Sequence, residues 1–175
     1  MIKFALFRKI CPAILLLTVM LFSGCGYKIG NMGHPQLKSV AIAPVINDTL
    51  SYNASANLRG LLAERFQLDG TMKLAGMSNA DCIVYARITK VTLQEVEASS
   101  RKDDDILPNQ WAVTITVEYS VIIPGKQTPL IQKQQASGRA EFMSGPDIEL
   151  SRNYAMKQAC FDAAKNIVAR VTESW

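Results

Sequence analysis

The chain holds one histidine, four widely separated cysteines and no Gly-x-Ser-x-Gly, so most catalytic and metal chemistries lack their residues. Acyl transfer needs a nucleophile, a base within hydrogen-bond reach and a group that orients the base. The single His34 sits among Gly30, Gly33 and Pro35, in a stretch that reads as an irregular tether. Without a Cys-x-x-Cys pair or a Cys/His cluster, a structural zinc site is excluded. Asp103, Asp104 and Asp105 lack the spacing and the glycine of an EF-hand, so Ala98 to Asn109 reads as a solvated hairpin tip. Glu95, Glu97, Glu118 and Glu141 fall on strand patterns, where carboxylates are usually solvated. The reading is a binding protein and not an enzyme, with no cofactor and no metal.

No apolar run is long enough to span a bilayer, which takes about 20 residues. The longest runs from Ile10 to Phe22, behind Lys3, Arg8 and Lys9 and with no acidic residue before it. That is the charged and apolar architecture of a secretory signal. It ends on Ser23-Gly24-Cys25, which looks like a lipobox: small residues admit the lipoprotein signal peptidase, and the Cys25 thiol takes a diacylglyceryl group. Phe22 stands where such sequences usually have Leu. A second acylation, with palmitate, at the new N-terminus would make anchoring stable, since one chain alone holds only marginally. Gly26 replaces the Asp that tends to retain lipoproteins at the inner membrane.

The expected organisation is a signal peptide at residues 1–24, a lipidated tether at 25–38 and one domain at 39–175. Cleavage takes three of the 19 basic residues and none of the 15 acidic ones, so the remainder is nearly neutral and nothing suggests nucleic acid. Of the remaining cysteines, Cys82 and Cys160 sit on apolar faces. Burial as small apolar residues is the favoured reading, with a disulfide left open.

Within the domain, Ser39 to Val45 is β-branched and apolar with Pro44 near its end, so it reads as a strand whose exit lacks a ladder donor. Leu58, Leu61, Leu62 and Phe66 mark a helix over Ala54–Leu68, stopped by Asp69-Gly70. Gly60 inside it suggests close packing on a sheet. Thr71 to Ala75 adds a short extended piece. Asp81 to Val96 reads as a long strand with Cys82, Val84, Ala86 and Ile88 on one face and a bulge after Thr89. Trp111 to Ile123 alternates strictly. Pro124-Gly125-Lys126-Gln127 turns it into a returning strand at about Leu130–Phe142. Ser144 to Asp147 reads as a cap for a last helix in which Ala155, Ala159, Ala163, Ile167 and Val171 recur every four residues. The prediction is α+β: a two-layer sandwich of a mostly antiparallel four-stranded sheet with two helices on one face, in the order β-α-β-β-β-α.

Cys25-Gly26-Tyr27, Val40-Ala41-Ile42-Ala43-Pro44-Val45-Ile46-Asn47-Asp48-Thr49, Ala80-Asp81, Val113-Thr114-Ile115-Thr116-Val117 and the alanine-rich last helix, in that order, resemble the LptE family. The resemblance covers nearly the whole chain after Cys25. It implies a lipid-anchored sandwich of the outer membrane that plugs the LptD-type β-barrel, helps it assemble and assists delivery of lipopolysaccharide. The opening strand and loop are also similar to peptidoglycan-synthase regulators of the LpoB type and, less closely, to the curli secretion protein CsgG. A regulator would need a long tether to cross the periplasm. The one here spans roughly 40 Å at most, which favours a partner in the same membrane. Arg87, Lys90, Lys126, Lys133 and Arg139 are the candidate contacts for lipopolysaccharide phosphates, because Arg and Lys make charge-assisted hydrogen bonds to phosphate.

Overall fold

The computed structural model describes residues 37–96, 110–143 and 146–173. Cys25, most of the tether, the 98–109 loop and Ser144-Gly145 lie outside the described residues. The elements are β1 (Ser39–Ile42), β2 (Ile46–Asn47), α1 (Ala54–Asp69), β3 (Lys73–Leu74), β4 (Cys82–Val96), β5 (Gln110–Ile122), β6 (Ile131–Met143) and α2 (Ile148–Glu173).

These elements form the expected α+β sandwich, but on a mixed six-stranded sheet where a mostly antiparallel four-stranded one was expected. The sheet runs β3-β1-β4-β5-β6, with β2 also pairing with β4. β1 pairs in parallel with both β3 and β4, and β2 pairs in parallel with β4. The α1 crossover carries the chain from β1 back to β3, and such crossovers join parallel strands. Two-residue strands are too short to show a period in the sequence. The long strands β4, β5 and β6 are antiparallel as expected.

The opening strand is split where Pro44 stands. Ala43 N–H still donates to Val84 O at 3.0 Å, but proline has no N–H to continue the ladder, and pairing resumes only at Ile46. The expected bulge in β4 falls between Ile88 and Lys90. α1 stops at Gly70, whose φ of 69° is left-handed and whose N–H donates to Phe66 O at 3.2 Å. α2 starts at Asp147, whose carboxylate accepts the Leu150 N–H at 2.9 Å.

Alternation on the sheet meets helical spacing on α1 and α2 in one core. Cys82, Val84, Ala86 and Ile88 of β4 join Val113, Ile115, Val117, Tyr119 and Val121 of β5 in it. Leu58, Leu62 and Phe66 of α1 and Ala159, Ala163, Ile167 and Val171 of α2 close it from the other side. The alanines have a specific purpose at Gly138. A Cβ there would meet Ala159 O and Ala163 N of α2, so the helix lies directly on the strand backbone. Gly60, by contrast, is exposed and a Cβ there would meet nothing within 4 Å, so it marks no close packing and the expectation for it is corrected. A small second cluster, Ala41, Ala43, Ala80 and Ile83, is buried apart from the main core.

Candidate functional site

The sheet face away from the helices is polar and in part open. In register across it, Arg87 of β4 lies beside Glu118 of β5 and Gln135 of β6. The next row is Lys90, Thr116 and Ser137, and the one after is Thr92, Thr114 and Arg139. A shallow groove of about 580 Å³ crosses this face, lined among others by Ile46, Asp48, Tyr85, Arg87, Glu118 and Lys133.

Four of the five candidate cations therefore share one sheet surface. Arg87 and Lys133 line the groove itself, Lys90 sits one row away and Arg139 two rows away. Lys126 stands apart in the β5–β6 turn, exposed beside Gly125, whose φ of 83° shapes that turn. The bulge in β4 restores Lys90 to the open face after two consecutive residues at Ile88 and Thr89, and this alignment depends on the irregularity.

Three of these cations already hold carboxylates. Arg87 Nη1 reaches Asp48 Oδ2 at 3.0 Å and Oδ1 at 3.3 Å. Lys133 Nζ is 2.6 Å from Glu118 Oε1, and Arg139 Nη2 is 2.9 Å from Glu141 Oε1. Asp48, Arg87, Glu118 and Lys133 thus alternate in sign across the groove. Among the described residues Lys90 and Lys126 have no ion-pair partner. The Arg87–Asp48 and Arg139–Glu141 pairs are exposed, so each is worth about 0–1 kcal/mol, whereas Glu118 is partly buried beneath Lys133.

Sequence reasoning did not find these carboxylate partners. Asp48 lies 39 positions from Arg87, in a turn built by Asn47, whose Oδ1 accepts both the Thr49 N–H and its hydroxyl. It also missed a clamp where the chain enters the domain. Asp81 Oδ2 accepts the N–H groups of Lys38 and Ser39 at 2.9 Å and the Ser39 hydroxyl at 2.8 Å, and Ser39 Oγ accepts the Asp81 N–H in return. The Ser39 hydroxyl and the backbone donors hold the Asp81 carboxyl below its ordinary range. A Ser and an Asp separated by 42 positions give no local signal of such a pair.

Cys82 and Cys160 are both free and buried. Cys82 Sγ lies near Ser39 O and Met72 Sδ, while Cys160 Sγ faces Ala54 O in a different part of the core. Burial pushes both thiols up to about 11, which leaves little thiolate at neutral pH.

The LptE family model, described as lipopolysaccharide-assembly, matches residues 37–171. The chain belongs to the LptE family. That match covers the whole described domain from β1 into the end of α2, and LptE proteins are non-enzymatic lipoproteins of lipopolysaccharide assembly. Among solved structures, hypothetical protein CT253 from Chlamydia trachomatis is similar at 15% identity and a TM-score of 0.55, over 78% of this chain and 96% of that one. A minor lipoprotein from Acinetobacter baumannii is similar at 10% identity and a TM-score of 0.52, over 79% and 94%. Protein XCC0632 from Xanthomonas campestris is similar at 12% identity and a TM-score of 0.50, over 81% and 90%. At these identities the likeness is one of fold. No curated protein sequence matches the chain. Among the described residues no helix is long and apolar enough to cross a membrane.

Proposed function

We propose that this LptE-family chain is cleaved after residue 24, anchored to the outer membrane through acyl chains on Cys25, and seated inside an LptD-type β-barrel. Its periplasmic or luminal domain helps the barrel assemble, as a chaperone does, and assists passage of lipopolysaccharide. The observation that carries this reading is the family match across 37–171. The short tether supports it, because a domain held so close to its lipid meets partners in the same membrane. A barrel lumen is polar, so the polar open face of the sheet suits it. The surface proposed to meet the wall is the Asn47–Asn53 loop, which holds Leu50 and Tyr52 out in solvent, while the polar side of β5 lies between the strands that carry the proposed lipid contacts.

Arg87, Lys90, Lys133 and Arg139 are the proposed contacts for lipid phosphates on the open face, with Lys126 at its margin. Their existing pairs do not block this. An exposed ion pair contributes so little that a phosphate, with more acceptor oxygens and more charge, replaces the carboxylate at small cost. Lys90 adds a charge that no carboxylate among the described residues has to release.

The test is binding of purified lipopolysaccharide by the detergent-solubilised chain carrying Arg87→Glu and Lys133→Glu together. Loss of both charge-assisted contacts is expected to weaken binding by about a hundredfold or more, at about 1.5–3 kcal/mol for each. Asp48→Asn, which frees Arg87, should strengthen it. Unchanged affinity in the double variant, with the fold intact, would remove these residues from the lipid site.

A further inference from the structure

β6 is the outer strand of the sheet, and an outer strand offers a row of unpaired backbone groups to any other extended chain. It is thirteen residues long, which makes it the longest exposed edge among the described residues. In a strand a residue points its N–H and C=O to the same side, and neighbours point to opposite sides. Gln135, Ser137 and Arg139 are residues whose groups point outward, away from β5, because that is where their partners lie. The Arg139 N–H donates to Asp162 Oδ2 at 3.2 Å, Asn166 Nδ2 donates to Ser137 O at 2.9 Å, and Arg170 Nη1 donates to Gln135 O at 3.2 Å.

All three partners come from α2, spaced i, i+4 and i+8. Four residues of helix rise about 6.0 Å, and two residues of strand advance about 6.8 Å, so the two series stay nearly in step over three contacts. The helix runs against the strand, with Asp162 over Arg139 and Arg170 over Gln135. Contact of the Ala159 and Ala163 backbone with Gly138 brings α2 close enough for short side chains such as Asp and Asn to reach the edge.

The same edge is self-complementary. Laid antiparallel against a copy of itself about Ser137, β6 sets Gln135 opposite Arg139 and Lys133 opposite Glu141, twice each by symmetry. Lys133 and Glu141 set opposite charges facing one another across that register, Gln135 offers its amide to Arg139, and all of these residues are exposed. We propose that Asp162, Asn166 and Arg170 form a side-chain guard that keeps β6 from pairing edge to edge with β6 of a second copy. The guard occupies one of the two outward backbone groups at each of three successive outward positions, so three of the six groups a second strand would pair with there are already taken.

The experiment places Ser137→Cys in the full chain, purified in detergent, with and without Asp162→Ala, Asn166→Ala and Arg170→Ala together. Under mild oxidant the guarded protein is expected to stay monomeric. The unguarded one is expected to form a disulfide across position 137, mapped by mass spectrometry, in a yield that rises with protein concentration. Amide exchange at Arg139 should quicken by about tenfold without Asp162, as expected for loss of one hydrogen bond. If the triple variant does not fold, Asp162→Ala with Asn166→Ala is read by the same criteria, since it leaves the Arg170 contacts in place. A folded unguarded protein with no disulfide at 137 and an unchanged Arg139 amide would overturn the proposal.

Discussion

Replacing Gly138 by alanine adds one methyl group at the point where β6 and α2 come closest. The new Cβ would meet Ala159 O and Ala163 N, and Ala163 Cα at 3.0 Å. All three obstacles are main-chain atoms, so no rotamer change relieves them and α2 or β6 must move as a unit. Overpacking a tight core costs about 1–3 kcal/mol, and an obstacle of backbone places this change at the upper end. Alanine's better strand propensity returns only a few tenths of that. About 3 kcal/mol is a large share of the 5–15 kcal/mol typical of a domain, and for one of this size it lowers Tm by about 6–12 °C. Gly60→Ala is the internal control: it lies within α1, a Cβ there meets nothing within 4 Å, and it should raise stability by about 0.5–1 kcal/mol. Thermal and urea unfolding of both variants test the pair. A Tm for Gly138→Ala within 2 °C of the parent would refute the close approach of helix to strand.

Because the folded Asp81 carboxyl lies below its ordinary range, its contribution is complete above about pH 4 and is lost as pH falls through the depressed folded value. Asp81→Asn should remove that part of the acid dependence, and urea midpoints measured from pH 7 down to pH 2.5 would show parent and variant converging at the acid end. Cys82 and Cys160, buried and with thiols at about 11, should resist alkylation at pH 8 in the folded protein and react fully in urea, as read by peptide mass mapping. Stoichiometric labelling of either without denaturant would contradict their burial. Tyr119→Phe removes the hydroxyl that donates to Gln134 Oε1 at 3.1 Å, and should cost about 1 kcal/mol in chemical unfolding. No change would mean that the hydroxyl contributes nothing net.

Periodicity made the large elements legible. Strict alternation located β5 to within a residue of each end, and the alanine repeat located the face of α2 that packs on the sheet. The phase change after Thr89 located the bulge, because a bulge moves every later side chain to the other face. Parallel pairing of β1, β2 and β3 was not legible. Two-residue strands carry no period, and the direction of pairing depends on where α1 returns the chain. Of the candidate cations, Arg87, Lys133 and Arg139 fall on one face by strand alternation, Lys90 joins them only through the bulge, and Lys126 lies in the β5–β6 turn. Asp48 was not recognised as the partner of Arg87, nor Asp81 as that of Ser39, because each pair is some forty positions apart. The spacing of Asp162, Asn166 and Arg170 was visible on α2, but its target is the backbone of another element, which no side-chain pattern records.

The central claim is partnership with a lipopolysaccharide-export barrel in the outer membrane. It is tested most directly by tagging the C-terminus, extracting native outer membrane in mild detergent and identifying what co-purifies. The account predicts one heat-modifiable barrel per chain, with lipopolysaccharide bound to the complex. Recovery of a cell-wall synthase with no barrel would contradict it.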